Sequence, residues 1–184
     1  MSSQGAFHIV GKTSKGKTTA IRAGVSVWAK VIEGKGEMAC SWSGTSNGLE
    51  MACKNHTNLP LFLDEIGRSE ESKLNLESLL YTLGNGAGKA RMSQDIKGRP
   101  IASWNLLALS TGEKTPRDVV QELGRDMATG ADVRMAVIQA QPVNEELGVF
   151  ETLPNDNDSE TVVVRAKKLA ERFAHYGAQY YGTA

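Results

Sequence analysis

"AFHIVGKTSKGKTTAIRAGVSVWAK", Ala6 to Lys30, is the stretch whose reading decides the fold. Its first five residues form a short apolar run that reads as a buried strand, and Gly11 ends it. From Lys17 onward, Ala20, Ile21, Gly24, Val25 and Trp28 recur at helical spacing until Gly34 and Gly36 close the segment. Between strand and helix, Gly11 to Thr18 satisfies G-x-x-x-x-G-K-[ST] in the setting that motif requires. The glycines let backbone N–H groups turn inward onto phosphate oxygens, and the helix N-terminus adds its partial positive charge. Gly11, Lys12, Thr13, Ser14, Lys15, Gly16, Lys17, Thr18 and Thr19 are therefore the candidate nucleotide-binding residues. Lys17 is placed to reach the β and γ phosphates of ATP, and the Thr18 hydroxyl to bind Mg²⁺.

A second apolar strand, "LPLFLDEIG" from Leu59 to Gly67, delivers two acids at its C-terminal end, where ligands bind in open α/β sheets. Asp64 suits the metal shell and Glu65 the activation of an attacking water. Further strands are expected at Met38–Ser43, Ser103–Glu113 and Asp132–Ala140. Helical patterns fall after Thr45, with Ser46 or Asn47 as cap, over Arg68–Leu83, and over roughly Pro116–Ala128. Five strands separated by helices predict an α/β fold, a mainly parallel sheet with helices on both faces.

Ser110 and Thr111 close the fourth strand, where a hydroxyl, Ser110 in the first place, can sense the γ phosphate or help place water. Arg125 and Arg134 flank the start of the last strand. In a ring of subunits an arginine there reaches a neighbour's nucleotide, and Arg125 is the preferred candidate.

"LGNGAGKARMSQ", Leu83 to Gln94, resembles a second phosphate loop but lacks a hydroxyl after Lys89 and opens no helix. Ala90–Gln94 and Arg99–Trp104, joined around "DIKG", read instead as a hairpin or long excursion before the fourth strand. It carries Lys89, Arg91, Lys97 and Arg99, a basic set suited to the backbone of single-stranded or forked DNA.

Composition narrows the alternatives. The 184 residues carry 21 Lys and Arg against 21 Asp and Glu, so a nucleic-acid partner must be found by a local patch and not by bulk charge. Cys40 and Cys53 are isolated and His8, His56 and His175 scattered, which argues against a disulfide framework or a zinc site. No apolar run reaches the roughly 18 residues a membrane span needs, so the expected location is cytoplasmic. Residues 1–142 read as the core. Residues 143–184 read as a linker plus a C-terminal helix capped near Ser159, the remnant of a lid or a fragment end.

The combination of "FHIVGKTSKGKTTAIRAGVSVW", "WSGTSNGLE", "LFLDEI", "LGNGAGKAR", "WNLLALSTGE" and "GADVRMAVIQA" resembles the helicase-like domain of the DUF927 family, P-loop ATPases of bacteria, phages and mobile genetic elements. The resemblance implies a three-layer αβα core of the ASCE, AAA+-like kind with sheet order 5-1-4-3-2. It also implies a Mg²⁺-dependent ATPase of a DNA helicase or translocase, assembled as a ring. A regulatory nucleotide switch, an inactive helicase-derived domain and a small-molecule kinase are the rival readings.

Overall fold

The computed structural model describes residues 4–13, 15–28, 39–42, 45–89 and 101–141, together with Val164, Lys168 and Arg172, which are helical. In chain order the elements are β1 (Gly5–Val10), α1 (Lys17–Val25), β2 (Ala39–Ser41), α2 (Ser46–Asn55) and β3 (Pro60–Asp64). There follow α3 (Glu70–Asn85), β4 (Leu107–Gly112), α4 (Pro116–Gln121), α5 (Thr129–Asp132) and β5 (Ala136–Gln139). The five strands form one sheet in the order β2-β3-β4-β1-β5, and every pairing is parallel. The order is the one implied by the family resemblance.

Strand alternation builds the layers. Leu61 and Leu63 of β3 face Leu49 and Cys53 of α2 and Leu76, Leu79 and Leu80 of α3, whereas Phe62 faces Ile21 and Val25 of α1. All three β3 side chains are fully buried. Burial of each contributes about 1.5–3 kcal/mol, which anchors the strand whose end carries Asp64 and Glu65.

Local chemistry sets the boundaries. Thr45, not Ser46 or Asn47, caps α2, its hydroxyl accepting from the Gly48 amide. The expected helix over 116–128 is shorter: Thr115 and Asp118 form a capping box with Pro116 in the first turn, but Gly124 at φ 69° ends the segment beyond Gln121. A separate turn of helix, α5, then takes up Asp132, so β5 starts at Ala136 instead of Asp132. The helix from Lys17 stops at Val25, where the Ser26 hydroxyl bonds back to the Ala23 carbonyl.

The fourth strand also starts later than its apolar run suggested. Residues before it run antiparallel to the stretch that follows α3: Ala87 bridges Ser103, the Gly88 amide donates to Ala102 O and the Trp104 amide to Gly86 O. This is the base of the expected excursion, whose residues 90–100 lie outside the described residues, as does most of 143–184. No helix among the described residues is long and apolar enough to cross a membrane.

Candidate functional site

The phosphate loop sits where β1 gives way to α1. Gly16, the N-cap of α1, has φ 86° and ψ 5°, a left-handed conformation that glycine adopts without steric cost. Gly11 is needed for space: a Cβ there would stand 3.1 Å from both the Cβ and the carbonyl oxygen of Ala140. Lys17 is only 7% exposed, and its Nζ donates to Gly11 O at 2.7 Å and Lys12 O at 2.6 Å. Burial lowers its pKa, while the negative charges of Glu113 and Asp64 oppose that shift. A buried ammonium facing an open cavity is a ready partner for an anion.

That cavity has a volume of about 260 Å³ and is lined by Thr13, Lys15, Gly16, Lys17, Thr18 and Thr19 on one side. Asp64, Glu65, Thr111, Gly112 and Glu113 line the other. Asp64 is the focus: its Oδ1 accepts from Thr111 Oγ1 at 2.7 Å, and Thr18 Oγ1 lies 3.5 Å from the same oxygen. The loop hydroxyl and the strand-end acid thus meet on one point. Gly11 and Lys12 act through their carbonyls, and Ser14 lies outside the described residues.

Carboxylate and hydroxyl oxygens are hard donors of the kind Mg²⁺ prefers, so Thr18 and Asp64 fit the ion. Among the described residues no group of three or more His, Cys, Asp or Glu forms an all-protein cage.

Glu65 has φ 56°, uncommon for a non-glycine residue, and its Oε2 pairs with Arg68 at 3.0 Å. Both side chains are more than half exposed, so the pair is weak and readily exchanged.

Ser110 requires a correction. The register pairs Leu63 with Ser110, which puts Ser110 on the core-facing side of the sheet with Leu63 and leaves Thr111 facing Asp64. Ser110 is fully buried, with its hydroxyl between Trp42 Nε1 and His8 Nδ1, each at 2.9 Å. It does not line the cavity. Pleat parity counted from Leu63 is the signal that selects Thr111, but it needs the strand register, which one sequence does not supply.

The two arginines separate. Arg134 lies over the Tyr81 ring at 4.3 Å and is hydrogen-bonded to Gly130 O and Asn85 Oδ1. Arg125 has a looser partner, Glu77 at 3.8 Å, and a side chain 44% exposed. It follows the α4 turn and not a helix end. Lys89 reaches Ser78 Oγ at 3.3 Å and its amide meets the buried Glu50 carboxylate at 3.4 Å, so it belongs to the anchored base of the excursion. Arg91, Lys97 and Arg99 lie outside the described residues. Glu113, which lines the cavity, and Arg68, which pairs with Glu65, have no role in the sequence reading.

Fold and site together define an α/β protein of the P-loop nucleotide-binding kind. The family model described as "Domain of unknown function (DUF927)" matches residues 2–101 of the 184, and the chain belongs to that family. A solved structure described as "SCCmec type IV Cch - active helicase" matches with a TM-score of 0.58 and 22% identity. The match covers 91% of this chain and 26% of that one, so the chain spans about a quarter of its length, and the likeness is one of fold. NtrX from Brucella abortus aligns at 13% identity and a TM-score of 0.46, over 74% of this chain and 32% of that one. No curated protein sequence matches significantly.

Proposed function

We propose that the chain is the ATP-binding and ATP-hydrolysing core of a DNA helicase or translocase, of the ASCE, AAA+-like class, serving replication of a mobile genetic element or phage. The observation that carries this reading is the meeting of Thr18, Thr111 and Asp64 at a single carboxylate oxygen beside the buried Lys17. The fold likeness to Cch supports the helicase assignment, since that protein is described as an active helicase.

In this mechanism Lys17 leaves the Gly11 and Lys12 carbonyls for the β and γ phosphates, and the loop amides hold the remaining oxygens. Thr18 and Asp64 would hold Mg²⁺, which when bound would neutralise phosphate charge. Glu65, released from Arg68, accepts a proton from water as the water oxygen bonds to the γ phosphorus and the bond to the bridging oxygen breaks. Arg125 of a neighbouring subunit supplies positive charge in a ring. Lys89, Arg91, Lys97 and Arg99 contact DNA.

A second reading, an ATP-dependent regulatory switch, draws on the Glu65–Arg68 pair, in which the Glu65 carboxylate already has a partner. Glu65→Gln separates the two. Under the ATPase reading this variant retains Mg·ATP and releases no phosphate, while wild type turns over. Wild type that binds Mg·ATP without releasing phosphate supports the switch.

A further inference from the structure

Among the buried titratable groups that the mechanism leaves unused, His8 lies nearest in sequence to the phosphate loop. His8 on β1 is fully buried, three residues before the phosphate loop opens at Gly11, and both ring nitrogens are engaged. Its Nε2 lies 3.0 Å from Lys114 O, and a carbonyl oxygen only accepts, so Nε2 carries a proton. Trp42 Nε1 only donates, and it donates to Ser110 Oγ. In a neutral ring the unprotonated Nδ1 accepts, so the single Ser110 proton points at His8. Every direction in the chain Trp42 to Ser110 to His8 to Lys114 is thereby fixed.

The chain ties together the elements around the cavity. Trp42 follows β2, and its amide donates to Asp64 O; Ser110 precedes Thr111, the partner of the Asp64 carboxylate; Lys114 follows Glu113. The ring packs against Gly112, where an added Cβ would lie 2.9 Å from His8 Cε1, so the glycine leaves the ring its place. We propose that His8, Ser110 and Trp42 are positioning residues of the nucleotide site: from the side of the sheet away from the cavity they fix the β1, β2 and β4 ends so that Thr111 meets Asp64. The arrangement requires His8 neutral, with its proton on Nε2. Burial, and secondarily the charge of Lys17, disfavour the cation, against the pull of Lys114 O. The consequence for turnover rests on the ATPase reading; the hydrogen-bond chain does not.

Two measurements test it on the 184-residue chain. Nitrogen NMR of labelled histidine should find His8 neutral and protonated on Nε2 from pH 8 to below 6.5. A ring protonated on Nδ1, or one titrating at or above 6.5, overturns the proposal. In a double-mutant cycle, Ser110→Ala and Trp42→Phe should each lower kcat about tenfold, with KM for ATP within about threefold, and the pair should do no more than either alone. Multiplying effects, or a loss confined to Ser110→Ala, would overturn it by making Ser110 act independently. If Ser110→Ala does not fold, Trp42→Phe and His8→Gln form the cycle. A wild-type chain without turnover contradicts the ATPase reading only. Mg·ADP affinity then replaces kcat in the same cycle, with a loss of about threefold or more, shared between the variants, expected; unchanged affinity in each single variant overturns the positioning role.

Discussion

Thr111 Oγ1 donates to Asp64 Oδ1 across 2.7 Å, joining the ends of β4 and β3 at the carboxylate that Thr18 also approaches. The bond orients the carboxylate from β4, the strand that lies between β3 and the β1 strand leading into the phosphate loop. Thr111→Val keeps the shape and removes the donor, and should lower kcat roughly 10- to 100-fold while leaving ATP affinity within a few-fold. Thr111→Ser should recover most of the activity. Steady-state kinetics of the two variants check both statements.

Lys17 is held by two loop carbonyls while partly stripped of water, so the bonds and the burial oppose each other in the free chain. Lys17→Ala should therefore change thermal stability by no more than about 1 kcal/mol. Nucleotide affinity should fall by at least about tenfold, because a charged partner of the phosphates is gone. Calorimetric titration with Mg·ADP and a thermal melt on the same sample separate the two effects.

The Glu65–Arg68 pair is solvent-exposed, and Arg68→Ala should alter folding stability by roughly 0–1 kcal/mol. Glu65→Gln should reduce kcat by about 10²- to 10⁴-fold with ATP binding preserved. Denaturant melts report the first and single-turnover phosphate release the second.

His8 gives stability a pH dependence of definite sign. Its folded pKa is lowered from the usual 6.5, first by burial and then by Lys17, with Lys114 O opposing. Between 6.5 and the lower folded value the unfolded chain binds more protons than the folded one. The contribution is complete above 6.5 and is lost as pH falls through that window. Urea melts between pH 7.5 and 5.5 should show wild type losing more stability than His8→Gln over the same range.

Lys89 stands on the anchored base of the excursion, and Arg91 follows two residues later. Replacing both by alanine should weaken single-stranded DNA binding and reduce the slope of log affinity against log salt by about 1–2. An unchanged slope in fluorescence titrations would remove this pair from the contact surface.

How far the sequence carries such an account depends on whether the signal is local. Gly11–Thr18 and Leu61–Glu65 are contiguous motifs whose backbone requirements are written in the residues themselves, so loop, strand end and sheet class are legible there. The parallel sheet follows from apolar runs alternating with amphipathic ones. Ser110 against Thr111 is a different kind of question, since both are small hydroxyl residues at one strand end. Only the pairing with Leu63 and Asp64 tells which side each faces. The His8–Ser110–Trp42 chain joins residues up to 102 positions apart and has no local signature. The break after Gln121 has a local mark in Gly124, but a single glycine inside an amphipathic stretch does not by itself end a helix.

The central claim, ATP hydrolysis in the service of DNA translocation, is tested most directly by phosphate release from Mg·ATP with and without single-stranded DNA, with particle mass measured in the same samples. The account predicts turnover by an oligomer that rises when DNA is added and vanishes in Glu65→Gln. A monomer that releases no phosphate in either condition would contradict it.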